Sequence, residues 1–213
     1  MKVGILGTGV VGQALGDGFA TLGHDVMLGS RTADNEAAAG FAAKHPGRGS
    51  AGTFADAAAF GEILVLATRG IANPEVVAAA GADRFDGKIV IDATNPLDFS
   101  AGYPDLAISG KDSAGETLQR LLPGAKVVKA FNIVTANLMF RPQLAGGPPD
   151  MMIAGDDAAA KAKVTEILRD FGWPTIDLGG IRSARWLEAM CMAWVLASMA
   201  RKNWNQAFRL LEG

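Results

Sequence analysis

Three observations predict an α/β fold with a doubly wound, mostly parallel sheet and a C-terminal apolar helix. Short apolar runs alternate with helix-forming segments along the chain, a glycine turn stands between the first run and the first helix, and the segment Trp186 to Ala200 is almost wholly apolar. Strands separated by helices pair in parallel and are covered on both faces. At 213 residues and 49% hydrophobic content, the chain suits a single domain over 1–213, with 180–213 as a helical appendage. A net charge of −2 gives no electrostatic case for nucleic acid or a membrane surface. With Cys191 as the one cysteine, a disulfide framework and a multi-cysteine metal site are both excluded. The first strand begins at residue 3, which leaves no room for a signal peptide, so a cytoplasmic protein is expected.

The first element is the apolar run Val3 to Leu6, followed at once by Gly7-Thr8-Gly9-Val10-Val11-Gly12. In that order, strand, turn and helix aim backbone N–H groups and the positive end of a helix at a pyrophosphate. Gly7 makes the turn, Gly9 lets phosphates approach, and Gly12 lets the helix lie against the sheet. Val11, Leu15, Phe19 and Leu22 recur at helical spacing, and Asp25 to Leu28 reads as the second strand. The unit is of the Rossmann, dinucleotide-binding type.

The residues that end the second strand choose the cofactor. NAD enzymes usually place a carboxylate there to accept from the adenosine ribose hydroxyls. Here the chain runs Gly29-Ser30-Arg31-Thr32. A guanidinium pairs with a 2′-phosphate through two hydrogen bonds and a serine hydroxyl adds a donor, so NADP(H) is expected.

Further on, Asn35 to Lys44 is helical, and a loop to Gly52 leads into a helix near Phe54 to Phe60. Ile63 to Ala67 and Lys88 to Asp92 are buried strands, separated by a helix from Pro74 to Ala80. Ser113-Ala-Gly-Glu116 has the pattern of a capping box before Leu118, Leu121 and Leu122. Val127 to Ala130, Met151 to Ala154 and Thr175 to Leu178 are the remaining strands; Val164, Ile167, Leu168 and Phe171 make a helix face between the last two. Gly146 to Pro149 reads as a long loop. Nearly every residue from Trp186 to Ala200 is apolar and only Glu188 is charged, which predicts a buried helix or, with Trp204, a dimer seam or a planar-ring pocket.

Ligands of an open α/β sheet lie beyond the carboxyl ends of its strands. Thr8, Ser30, Arg31, Thr68, Arg69, Asp92, Thr94, Asn95, Pro96, Lys129, Asn132 and Thr135 follow or end the strands and form the candidate ligand edge. Proton-transfer machinery is scarce along it. His24 precedes the second strand, at the opposite end of the sheet, and His45 lies in a helix-ending turn. Tyr103 has Ala107 where a short-chain reductase has lysine, no metal-ligand spacing occurs, and Cys191 sits in an apolar helix. Hydride passage between two ring cofactors needs positioning rather than an acid or base, so no catalytic side chain is expected; Lys129 and Asn132 are weak candidates.

Thr8-Gly9, Leu22-Gly23-His24 leading to Gly29-Ser30-Arg31, Lys88-Ile89-Val90 to Asn95-Pro96-Leu97, Val127 to Asn132, and Arg185-Trp186-Leu187-Glu188 resemble the F420-dependent NADP oxidoreductase family. That family is similar in fold to the nicotinamide-binding domain of six-transmembrane metalloreductases. The resemblance spans nearly the whole chain and implies hydride transfer between NADP(H) and the deazaflavin coenzyme F420. It implies that Thr8, Gly9, Val10 and Val11 contact the pyrophosphate, and that Ser30 and Arg31 contact the 2′-phosphate. Val134, Ala136 and the turn Trp204 to Gln206 would line the deazaflavin face. Two departures stand out: Asn35 replaces a second basic residue, and the glycine turn is one residue shorter than the archaeal pattern.

Three readings follow. The first is hydride exchange between NADP(H) and coenzyme F420 or another flavin-like ring such as FMN or FAD. The second keeps NADPH and reduces a flavin, ferric complex or small carbonyl compound. The third is a non-catalytic dinucleotide-sensing module. All three expect small-molecule cofactors and a homodimer, without nucleic acid or membrane.

Overall fold

The computed structural model describes residues 1–211 and 213. Its main sheet has eight strands in the order β10-β9-β8-β5-β4-β1-β2-β3. They are β1 (Lys2–Leu6), β2 (Asp25–Ser30), β3 (Gly49–Thr53), β4 (Ile63–Leu66), β5 (Ile89–Asp92), β8 (Lys126–Lys129), β9 (Met151–Gly155) and β10 (Thr175–Asp177). Every neighbouring pair is parallel except β8 with β9. A separate antiparallel ribbon joins β6 (Leu97–Asp98) to β7 (Asp105–Leu106).

The central strands are apolar throughout because both sheet faces are covered. Along β4, alternate residues serve opposite cores. Ile63 and Val65 join Leu15 and Phe19 of α1 (Val10–Thr21), Phe41 of α2 (Glu36–Lys44), and Val164 and Ile167 of α6 (Ala158–Asp170). Leu64 and Leu66 join Phe54 of α3 (Phe54–Phe60), Val76 and Val77 of α4 (Asn73–Ala80), and Leu118 of α5 (Ala114–Leu121). The last helix, α7 (Ala184–Arg201), contacts α5 and β9, burying Leu187 in the first core and Ala184 in the second.

Three expectations need correction. The segment expected to be loop up to Gly52 is the edge strand β3, whose sequence Gly-Ser-Ala-Gly-Thr lacks an apolar alternation and is held by backbone pairing to β2. Ser113 caps α5, accepting from Glu116 N at 3.1 Å, but the box does not close: Ser113 N donates to Asp112 Oδ1 at 2.9 Å, and the Glu116 carboxylate accepts from Ser113 Oγ at 2.8 Å and from Arg185 at 2.7 and 2.6 Å. The reciprocal box occurs at Thr53 and Asp56, where α3 begins. Finally, α7 is not buried all round. Leu187, Cys191, Trp194 and Val195 face inward, whereas Trp186 is 67% and Met199 47% exposed. Among the described residues no helix is long and apolar enough to cross a membrane.

Candidate active-site cleft

The chain winds from β1 to β2 and β3 on one side and returns to β4 on the other, so the sheet's order reverses between β1 and β4. A ligand crevice belongs at the carboxyl ends there. Gly7 has φ +136°, and a Cβ on it would lie 2.4 Å from Ala67 O, so β1 can leave the sheet at that point only through glycine. A Cβ on Gly12 would lie 2.1 Å from Gly7 O; the helix thereby rests directly on the turn. Gly9 caps α1, offers no side-chain acceptor to its first N–H groups, and has nothing within 4 Å of where a Cβ would stand. Free helix N–H donors facing open space are what an oxyanion needs.

This turn forms one wall of a cleft of about 780 Å³ lined by Gly7, Thr8, Gly9, Val10, Val11, Ser30, Arg31, Thr32, Asn35, Phe54, Ala67, Thr68 and Arg69. None of these is acidic, and two are arginines. Ser30 is buried; its hydroxyl donates to Thr32 O and accepts from Thr32 N at 3.3 Å, which shapes the turn that presents Arg31. Arg31 is exposed and makes no hydrogen bond among the described residues. Asn35 lines the cleft while capping α2, its Oδ1 accepting from Ala38 N at 3.0 Å. Its capping role accounts for an amide at this position without reference to phosphate.

A second cavity of about 490 Å³ adjoins the first and shares Val11, Thr68 and Arg69 with it. Its other lining residues are Ile71, Ala93, Asn95, Leu97, Asp98, Phe99 and Ser100. Sequence reasoning missed all of these except Asn95. The one available signal was an apolar pair, Leu97 and Phe99, stranded in a polar loop. Phe99 is 59% exposed. Asp98 accepts from Ser100 N at 2.9 Å and Ser100 Oγ at 3.0 Å, and these bonds hold its carboxyl below the usual range.

Asn95 and Asn132 are mutually bonded. Asn95 Nδ2 donates to Asn132 O at 2.8 Å, and Asn132 Nδ2 donates to Asn95 Oδ1 at 2.9 Å and to Leu187 O at 3.0 Å. Asn132 is therefore buried behind the cavity that Asn95 lines. Pro96 and Val134 are also buried, and neither they nor Ala136, Trp204 and Gln206 line either cavity. The Gln206 carbonyl instead accepts from Trp194 Nε1 at 2.8 Å.

Lys129 does not reach the cleft. It is 0% exposed, and its Nζ lies 2.9 Å from Asp92 Oδ2, 2.9 Å from Glu188 Oε1 and 2.6 Å from Thr94 O. Glu188 in turn accepts from the N–H groups of Ala114 and Gly115 at 3.0 Å each. Burial alone would lower the Lys129 pKa, but the carboxylates of Asp92 and Glu188 outweigh it and hold the ammonium above its usual value. This buried cluster ties β5, β8, α5 and α7 together, and a lysine so enclosed can neither donate to a substrate nor attract a cofactor at short range. Cys191 is buried beside it, with its thiol pushed up to about 12. Among the described residues no acidic, histidine or cysteine group is arranged to hold a metal ion.

Comparison with known proteins bears on the family and the fold. Residues 2–96 match the family model described as NADP oxidoreductase, coenzyme F420-dependent. The chain is 30% identical to the F420-dependent NADP reductase of Methanothermobacter thermautotrophicus, over 99% of this chain and 94% of that protein. A solved structure from Arthrobacter sp. FB24, provisionally described as an F420-dependent NADP-reductase, superposes with a TM-score of 0.93 at 39% identity and covers both chains fully. The chain is also 31% identical to metalloreductase STEAP3 of Rattus norvegicus, over 89% of its own length but only 36% of that protein's.

Proposed function

The chain belongs to the F420-dependent NADP oxidoreductase family and is an NADP-dependent oxidoreductase, and from that premise we propose that it passes a hydride between NADP(H) and a deazaflavin or flavin-like ring. The observation that carries this reading is the pair of adjoining cavities. The first offers helix N–H groups, Ser30 and Arg31 without any carboxylate; the second is walled mainly by Val11, Ile71, Ala93, Leu97 and Phe99.

The residues present fit NADP(H). Open space beside Gly9 leaves the α1 N-terminus free for a pyrophosphate, and Arg31, exposed in the same cleft and unpaired among the described residues, is available to a 2′-phosphate. When bound, the nicotinamide supplies the hydride chemistry. The chain's own part is to hold the phosphates and exclude water from the apolar cavity, bringing donor and acceptor carbons to within about 3.5 Å. No histidine, lysine, tyrosine or cysteine lines either cavity, so the site offers no group to exchange a proton near neutral pH, and Asp98 is held ionised by Ser100. Hydride transfer between rings, with the accompanying proton taken from solvent, makes no demand for one.

A homodimer is part of the same proposal. Trp186 of α7, 67% exposed, together with Trp204 at 49% exposure, offers apolar surface suited to a second copy.

The test is NADPH oxidation followed at 340 nm with coenzyme F420, FMN, FAD, ferric chelates and small carbonyl compounds as acceptors. Turnover with the deazaflavin above that with every other acceptor supports the proposal. Turnover only with ferric chelates or carbonyl compounds would overturn the ring-to-ring reading while leaving NADP dependence intact.

A further inference from the structure

Arg69 follows β4, on the side of the glycine turn away from Arg31. With strands about 4.8 Å apart, the ends of β2 and β4 are separated by roughly 10 Å across β1. The two arginines therefore flank the turn and address different parts of the cleft. Arg69 lines both cavities and, among the described residues, is the only cationic one lining the second.

Its backbone is fixed and its side chain is not. Ala72 N donates to Arg69 O at 2.8 Å and Gly70 N to Asn95 O at 2.9 Å; a Cβ on Gly70 would lie 2.6 Å from the Asn95 carbonyl carbon. The chain thus passes Arg69 pressed against the loop that floors the second cavity. Arg48, Arg120 and Arg185 each pair with a carboxylate, whereas the exposed Arg69 guanidinium has no hydrogen bond or ion pair among the described residues. Beside it, Thr68 Oγ1 is buried with no partner, an orphan donor at the junction of the cavities. An exposed unpaired guanidinium beside a largely apolar slot, backed by a buried hydroxyl that lacks a partner, suits a ligand with a flat apolar body and an oxyanion substituent. Asp98, the acid of that cavity, does not answer Arg69; its oxygens are engaged by Ser100.

Building on the hydride-transfer reading, we propose that the second substrate carries an anionic group, a phosphate or carboxylate, that Arg69 and Thr68 hold at the junction of the two cavities. The N-terminus of α1 and Arg31 already address the phosphates of NADP(H), which leaves Arg69 for the partner ring.

The test uses two acceptors with the same ring, 5-deazariboflavin and its 5′-phosphate. Their dissociation constants are measured by fluorescence in the presence of NADP⁺ for the native chain, Arg69→Gln, Arg69→Lys and Thr68→Val, with NADPH titrated separately. In the native chain the phosphate form should bind about ten- to a hundredfold more tightly, the range of a charged hydrogen bond. Arg69→Gln should bring that ratio near one and leave NADPH affinity unchanged; Arg69→Lys should keep part of the ratio and Thr68→Val should reduce it. Equal native affinities would overturn the proposal. So would a loss of NADPH affinity in Arg69→Gln with the acceptor ratio intact, which would assign Arg69 to the cofactor's pyrophosphate. Binding without reduction would refute the hydride-transfer reading alone, because the affinity ratio still decides Arg69. Absence of binding by either deazaflavin would refute both.

Discussion

Replacing Lys129 with Met removes the ammonium that two buried carboxylates share, and the consequence can be worked out from the contacts. Asp92 Oδ2 and Glu188 Oε1 each lie 2.9 Å from Nζ. Without it they face one another within about 6 Å in a dry interior, a separation at which like charges repel strongly. Breaking a buried pair by removing one partner costs about 3–5 kcal/mol. In a chain of this size that lowers the unfolding midpoint by about 6–20 °C. In the native chain the raised Lys129 pKa stabilises fully below 10.5, and that contribution is lost only as pH rises through the folded-state value. In the Lys129→Met variant that contribution is absent at every pH. Thermal unfolding followed by circular dichroism at pH 7 measures the loss, and adding Glu188→Gln should restore part of it. A destabilisation below about 1 kcal/mol at pH 7 would refute the claim that the cluster holds α7 to the sheet.

Arg31→Ala should weaken NADPH binding by about 1–3 kcal/mol and leave NADH nearly untouched in parallel titrations. Equal losses would remove the guanidinium from the 2′-phosphate. Gly9→Ala should leave the melting temperature unchanged, since a Cβ there meets nothing within 4 Å, yet cut NADPH affinity by filling the phosphate approach. Gly12→Ala should instead destabilise the fold by about 1–3 kcal/mol, because its Cβ meets Gly7 O at 2.1 Å. For the dimer, Trp186→Glu should convert a dimer mass to a monomer mass in light scattering; a monomeric native chain would refute the interface outright.

The sequence by itself determined the parts of this protein governed by local chemistry. The glycine turn was legible because Gly7, Gly9 and Gly12 stand where a strand must turn, admit a phosphate and rest a helix. The parallel strands were legible because burial on both faces leaves an uninterrupted apolar run such as Ile63 to Leu66. Ser30 and Arg31 were readable as residues of the ligand edge, and they line the cleft because they adjoin the turn in sequence and in space. Strand β3 was not readable, because an edge strand of glycine, serine and alanine owes its shape to backbone bonds with β2. The second cavity was not readable either, because its wall is assembled from residues after β4, residues after β5 and the β6–β7 ribbon. Lys129, read from the sequence as a polar residue at the ligand edge, proved to be an enclosed cation. Only the tertiary structure could decide this. The charges that neutralise it come from Asp92, 37 residues away, and from Glu188 on the last helix, which reaches across the chain to the N-terminus of α5. Periodicity and spacing report how a segment meets its immediate neighbours. The fate of a lone charged side chain depends on which distant segments pack around it, because burial and pairing are set by all of them together.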